Sequence, residues 1–144
     1  MMPLLRSLRP EQWLKNGFVL APLVFSGSLT DPDAVFWSLV AVAAFCAAAS
    51  ATYLVNDVLD READRGHPTK CRRPIASGDV SVGTALVSAL ILIIIGGASA
   101  LALGGWFPAI LGAYMVITLL YSTLLKQLVF VDVLVVALGF VLRV

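Results

Sequence analysis

Between Asn56 and Asp64 the chain reads Asn-Asp-Val-Leu-Asp-Arg-Glu-Ala-Asp, which sets an amide and three aspartates at spacings of one, three and four residues. At helical pitch, with Asp57 at about 0°, Asp60 falls at about 300°, Asp64 at about 340° and Asn56 at about 260°, so the four share an arc of roughly 100°. Oxygen ligands in such an arc suit magnesium, which binds one or two carboxylates and leaves the rest of its shell to water and substrate phosphate. Asn56, Asp57, Asp60 and Asp64 are therefore the candidate metal residues. A basic run follows with Lys70, Arg72 and Arg73. Arginine grips phosphate through a planar fork and lysine through a compact charge, so the two runs together predict a phosphorylated substrate whose leaving-group charge is neutralised. Asp57, Asp60, Asp64 and Lys70 are the expected catalytic groups, with Arg72 and Arg73 binding anionic oxygens. The bland alternative is a solvated acidic helix end.

Other chemistries find little footing. The two cysteines, Cys46 and Cys71, and the single histidine, His67, lack metal-ligand spacing, which speaks against zinc and thiol catalysis. Ser77 and Ser81 have no histidine base nearby, and no glycine-rich ATP loop is present. Direct transfer between two bound substrates fits better than a protein-bound intermediate. His67, beside Pro68, is either a structural residue or a phosphate contact.

The elements that must position these groups are membrane helices. Of 144 residues 60% are hydrophobic and 13% charged, with mean hydropathy +0.95, a balance typical of integral membrane proteins. Net charge is only +1, which gives no electrostatic footprint for nucleic acid. Five apolar windows run Trp13 to Leu29, Ala34 to Val55, Val80 to Leu103, Trp106 to Leu125 and Leu128 to Val144. A hydrocarbon core needs roughly 20 helical residues. The middle three windows meet that length; the first, with Lys15 and Pro22, is marginal, and the fifth ends at the last residue. Breaks are expected at Gly27 to Asp33, Gly66 to Gly78, Gly104-Gly105 and Lys126 to Val129. The fold class is all-α, a polytopic transmembrane helix bundle expected to be truncated after its five windows.

Nine of the ten Lys and Arg residues lie at the N-terminus (Arg6, Arg9, Lys15), after the second window (Arg61, Arg65, Lys70, Arg72, Arg73) and at Lys126. The positive-inside rule then sets the N-terminus, the acidic run and Lys126 on the cytoplasmic side of the membrane. The N-terminus does not read as a cleaved signal, and Trp13 is expected to anchor it at the interface. Gly96-Gly97, Ser99 and Ala102 allow close helix contact. Tyr114, Thr118 and Tyr121 form a polar stripe that either lines a pocket or satisfies interhelical hydrogen bonds. Tyr53 and Ser50 carry the acidic face into the bilayer, toward a cavity. Asp132 and Arg143, eleven residues apart, project from nearly the same side. Ionisable groups at membrane depth are costly unless paired or facing a wet cavity, so Arg143 is either held by a carboxylate or helix carbonyls, or forms an anion site.

These residues resemble the UbiA superfamily of intramembrane prenyltransferases, whose first aspartate-rich motif, N-D-x-x-D-x-x-x-D, matches Asn56, Asp57, Asp60 and Asp64. Within it the chain is most similar to the phosphoribosyl-transferring branch. That likeness rests on Arg9-Pro10-Glu11-Gln12-Trp13-Leu14-Lys15-Asn16, on the stretch from His67 to Gly78, on Tyr121-Ser122-Thr123-Leu124-Leu125-Lys126, and on Gly139-Phe140-Val141-Leu142-Arg143. The resemblance implies magnesium-dependent transfer of 5-phosphoribose from phosphoribosyl diphosphate to decaprenyl phosphate, in arabinan precursor and cell wall synthesis. It also implies substrate-binding roles for Lys15, Tyr121, Lys126, Asp132 and Arg143 beside Asn56, Arg72 and Arg73. The likeness covers residues 1–144 as the N-terminal part of a single domain. The family's second aspartate-rich motif has no counterpart after Asp64, so a C-terminal half or a companion chain is expected to complete the site. Two alternatives are polyprenyl transfer from a prenyl diphosphate to an aromatic acceptor, and a noncatalytic membrane subunit.

Overall fold

A computed structural model describes residues 2–125 and 137–143, and every regular element among them is helical. The expectations for Lys126 and Asp132 lie outside the described residues. Two helices dominate. α3 will denote Pro32–Leu59, preceded by α1 (Pro3–Ser7) and α2 (Ala21–Phe25); α4 is Arg61–Arg65, α5 Pro74–Ser77, α6 Val82–Leu103 and α7 Phe107–Leu120. Both α3 and α6 are long and apolar enough to cross a membrane. At 1.5 Å per residue they run to about 42 and 33 Å.

Local chemistry sets their ends. Asp31 caps α3, its Oδ1 accepting from the backbone N–H of Asp33 and Ala34, with Pro32 at the first helical position. Ser81 caps α6 by accepting from Thr84 N–H at 3.0 Å. α6 stops at Gly104 and Gly105, whose φ values of 70° and 55° lie in the left-handed region open to glycine, and α7 turns back from there. The last turn of that helix relaxes into a π-helical turn over Tyr121–Leu125.

Small residues hold α3 against α6. Ala44, Ala47, Ala48 and Ala51 of α3 are buried, and Gly96 sits so close that a Cβ there would lie 3.3 Å from the Ala44 carbonyl oxygen. The pairing is antiparallel: Ala44 meets Gly96 near one end, while Ala51 and Leu54 pack with Ala85 and Ala89 toward the other. On the far side α6 exposes Leu86, Leu90, Ile94 and Leu101, a surface suited to lipid. Phe45 packs edge-on against Phe107 and Tyr114, which seats α7 on α3.

The first apolar window is not one helix. It forms a 3₁₀ stretch over Pro10–Leu20 followed by the short α2, and so differs from an expected marginal span. Two of its polar side chains bond to α3: Trp13 Nε1 donates to Ser50 Oγ at 2.9 Å, and the amide of Asn16, 1% exposed, donates to Cys46 Sγ at 3.2 Å. The N-terminal segment therefore lines α3, and Trp13 acts as a tether to the helix as well as a partly exposed aromatic.

Candidate functional site

The acidic motif straddles the end of α3. Helical bonding persists through the change of element, with Asp60 N–H donating to Asn56 O at 2.9 Å and Asp64 N–H to Asp60 O at 2.8 Å. Two turns apart, Asp57 and Asp64 consequently share a face. They converge on one cation: Arg73 Nη1 lies 3.1 Å from Asp57 Oδ1 and 2.7 Å from Asp64 Oδ2. Both carboxylates are buried. Arg73 reaches them because Pro74 starts α5 immediately after it, fixing its backbone at the helix entrance.

A residue outside the expected set completes the cluster. Arg9 Nη2 donates to Asp57 Oδ1 at 2.7 Å, and its guanidinium lies 4.8 Å above the Tyr53 ring. Only its charge, counted toward topology, and its place in an Arg-Pro motif marked it in the sequence. Its partner lies 48 positions away, beyond any local pattern.

Around this cluster opens a cavity of about 330 Å³, lined by Arg6, Arg9, Lys70, Arg72 and Arg73 against the carboxylates of Glu11 and Asp57. Cations outnumber carboxylates there, so the cavity suits an anion. The expected trio Lys70, Arg72 and Arg73 is thus brought together. His67 shapes the loop: its Nδ1 faces Thr69 N–H at 3.3 Å and Lys70 N–H at 3.4 Å, which supports the structural alternative.

A second cavity of about 290 Å³ lies between α3, α7 and the Pro10–Leu20 stretch. Lys15, Tyr53, Asn56, Tyr114, Tyr121 and Arg143 line it, together with Arg9. The polar stripe on α7 therefore faces a pocket. Arg143 is held by Asn16 Oδ1 at 2.9 Å, Gly139 O at 2.7 Å and Tyr114 Oη at 3.1 Å, and stacks over the Tyr114 ring. Asn16, whose amide also donates to Cys46 Sγ at 3.2 Å, is the other site residue that was not anticipated.

The metal arc needs correction. Among the described residues no three His, Cys, Asp or Glu side chains gather to hold an ion. Asn56 lines the second cavity, Asp60 lines neither, and two carboxylates rather than three converge. The reason is the length of the arc: Asn56 lies about 90° and Asp60 about 50° from the Asp57–Asp64 line. Two converging carboxylates still fit magnesium, which commonly takes one or two and completes its shell with water and phosphate. Arg73 shows that the pair already focuses on one positive centre.

A transmembrane bundle, an Asn-Asp-x-x-Asp-x-x-x-Asp helix end and a basic loop closing over it find their match in one family model, which covers residues 18–144. The chain belongs to the UbiA prenyltransferase family. Among its relatives, a decaprenyl-phosphate phosphoribosyltransferase of Corynebacterium glutamicum is 42% identical over 97% of this chain and 43% of its own length. The protein of the same name from Mycolicibacterium smegmatis is 38% identical over 97% of this chain and 45% of its own length. Nodulation protein NoeC of Azorhizobium caulinodans is 39% identical over 78% of this chain and 36% of its own length. The chain thus spans less than half the length of these curated relatives. Membership makes it a membrane-integral, all-helical UbiA protein, in agreement with the two spanning helices.

Proposed function

We propose that this chain carries the anion-binding half of an enzyme that transfers 5-phosphoribose from phosphoribosyl diphosphate to decaprenyl phosphate. The observation that carries this reading is the convergence of Asp57 and Asp64 on Arg73 beside a cavity walled by cations, at the end of a long apolar helix. A water-soluble diphosphate reaches such a place from the aqueous side, and a lipid phosphate from the bilayer. The remaining length of the relatives supplies the rest of the site. The site faces the cytoplasm of a bacterial plasma membrane, in keeping with the positive-inside distribution.

Asp57 and Asp64 would hold magnesium, with Asn56 and Asp60 beside them on the helix. When bound, the ion withdraws charge from the departing diphosphate. Lys70, Arg72 and Arg73 neutralise its outer oxygens, and Arg73 must leave the carboxylates as donor and ion arrive. An oxygen of the lipid phosphate attacks the anomeric carbon, the bond from that carbon to the diphosphate oxygen breaks, and diphosphate departs with the electron pair. Tyr121, in the wall of the second cavity, borders the acceptor side. The lipid product serves arabinan and cell wall synthesis.

The test supplies radiolabelled phosphoribosyl diphosphate and decaprenyl phosphate to membranes containing the protein at its relatives' full length. A labelled lipid is expected. Correct insertion with no labelled lipid, and product instead from a prenyl diphosphate and an aromatic acid, would overturn the assignment.

A further inference from the structure

Apart from Pro74, every residue lining the cavity around Arg73 carries a polar or charged side chain. A ligand there must be polar throughout, since an apolar tail would strip water from these groups and give nothing back. The two carboxylates in the wall differ. Asp57 is engaged by Arg9 and Arg73, whereas no described residue bonds the carboxylate of Glu11. An unengaged carboxylate among cations works against a bare phosphate. It favours a ligand that also brings hydroxyl donors, because an ionised carboxylate accepts hydrogen bonds and donates none.

The backbone holds Glu11 in that wall. Arg9 sits at φ 54°, ψ 62°, the single non-glycine residue with positive φ among those described, and Pro10 follows it. Gln12 N–H donates to Arg9 O at 2.9 Å, which closes a turn with Pro10 and Glu11 at its two central positions. Both ends of the turn are fixed to α3. Arg9 bonds Asp57 at 2.7 Å, and Trp13, next after Gln12, bonds Ser50 at 2.9 Å. Contacts outside the turn thus keep Arg9 in a conformation it would otherwise avoid, and the strain fixes where the next side chains go. Glu11 and Gln12 line the same cavity as Lys70 and Arg72 of the basic loop.

We propose that Glu11 is a specificity-determining residue of this cavity, whose carboxylate accepts hydrogen bonds from two vicinal hydroxyls of a sugar phosphate while Lys70 and Arg72 hold the phosphate. Gln12 adds a neutral donor and acceptor beside it. This rests on the donor assignment above and deepens it by naming what separates a sugar diphosphate from a prenyl diphosphate at this site. A site built to bond a hydroxyl rejects the analogue that lacks one, because its own polar group is then left without a partner. A hydrocarbon chain laid against Glu11 would do that to the carboxylate.

The test is calorimetric binding to the protein at its relatives' full length in nanodiscs, with ribose 5-phosphate, 2-deoxyribose 5-phosphate and pyrophosphate as probes. The first two carry the same charge and differ by one hydroxyl. Wild type is expected to prefer ribose 5-phosphate by about tenfold, the scale of one hydrogen bond to a charged group. Glu11→Ala should abolish that preference and tighten pyrophosphate about threefold, since a like charge in water is removed. Glu11→Gln, which keeps one acceptor oxygen, should retain part of the preference. The side chain is exposed and bonds no described residue, so both variants keep the fold. No preference in the wild type, or one that survives Glu11→Ala, would overturn the proposal. So would weaker binding of pyrophosphate by Glu11→Ala, which would make the residue structural. No turnover is involved: a hydroxyl preference lost in Glu11→Ala, without any labelled lipid in the transfer assay, would refute the reaction and leave this inference standing.

Discussion

Replacing Arg73 by methionine removes one guanidinium while keeping much of the side chain's volume. Its two contacts are not equivalent. Asp57 keeps Arg9 at 2.7 Å, whereas Asp64, with a side chain only 4% exposed, has no other described side-chain partner. Unit charges about 4 Å apart interact by about 4 kcal/mol at an effective dielectric of about 20, and removing one member of a buried pair typically costs about 3–5 kcal/mol. Arg73 is 26% exposed, so water softens the loss and the low end applies. Arg73→Met is expected to lower stability by about 3 kcal/mol, and Asp64→Asn by about 2 kcal/mol. In the double variant the carboxylate is no longer stranded, so the losses should fall short of additivity by about 1.5–3 kcal/mol. The assay is unfolding of the purified chain in mixed detergent micelles by added sodium dodecyl sulfate, followed by helical ellipticity. Additivity within about 0.5 kcal/mol would mean that Arg73 and Asp64 are not coupled, and the geometry argued for the site would fail with it.

Three further outcomes follow from single contacts. Gly96→Leu should cost about 1–3 kcal/mol in the same assay, because even a Cβ meets the Ala44 carbonyl oxygen at 3.3 Å; an unchanged midpoint would show that α3 and α6 do not pack this closely. Asp31→Ala should cost about 1 kcal/mol through loss of the cap on α3, and Asp31→Asn much less, whereas equal losses would point to charge rather than capping. Ser50→Ala leaves both the Trp13 indole N–H and the Leu8 carbonyl without their bonds, at about 1–3 kcal/mol, and tryptophan emission should shift to the red as the N-terminal stretch loosens; unaltered emission would refute that tether.

How far the molecule can be read before its structure depends on the reach of each interaction. The apolar windows at Ala34 to Val55 and Val80 to Leu103 became α3 and α6 within a few residues, because burial in lipid and the stops at Pro32 and Gly104 act locally. The window at Trp13 failed as a helix for an equally physical reason. Lys15, Asn16 and Trp13 need partners, and they lie 30 and 37 positions away for Asn16 and Trp13, so tertiary bonds override the hydropathy average. The same division runs through the site. Asp57 and Asp64 could be placed on one face from their spacing, since i to i+7 is two helical turns. The arginines could not. Arg9 reaches across 48 positions to Asp57, and Arg143 across 127 to Asn16, and long flexible side chains leave no periodic trace of their destination. Asp132, expected on the same side as Arg143, lies outside the described residues; among the described ones an amide, a phenol and a helix carbonyl hold the guanidinium. Neutral partners leave its charge available to an anion, which a carboxylate would have quenched. The chemistry of the second cavity therefore turns on contacts that only the packed helices reveal, while that of the first is half-written in the motif.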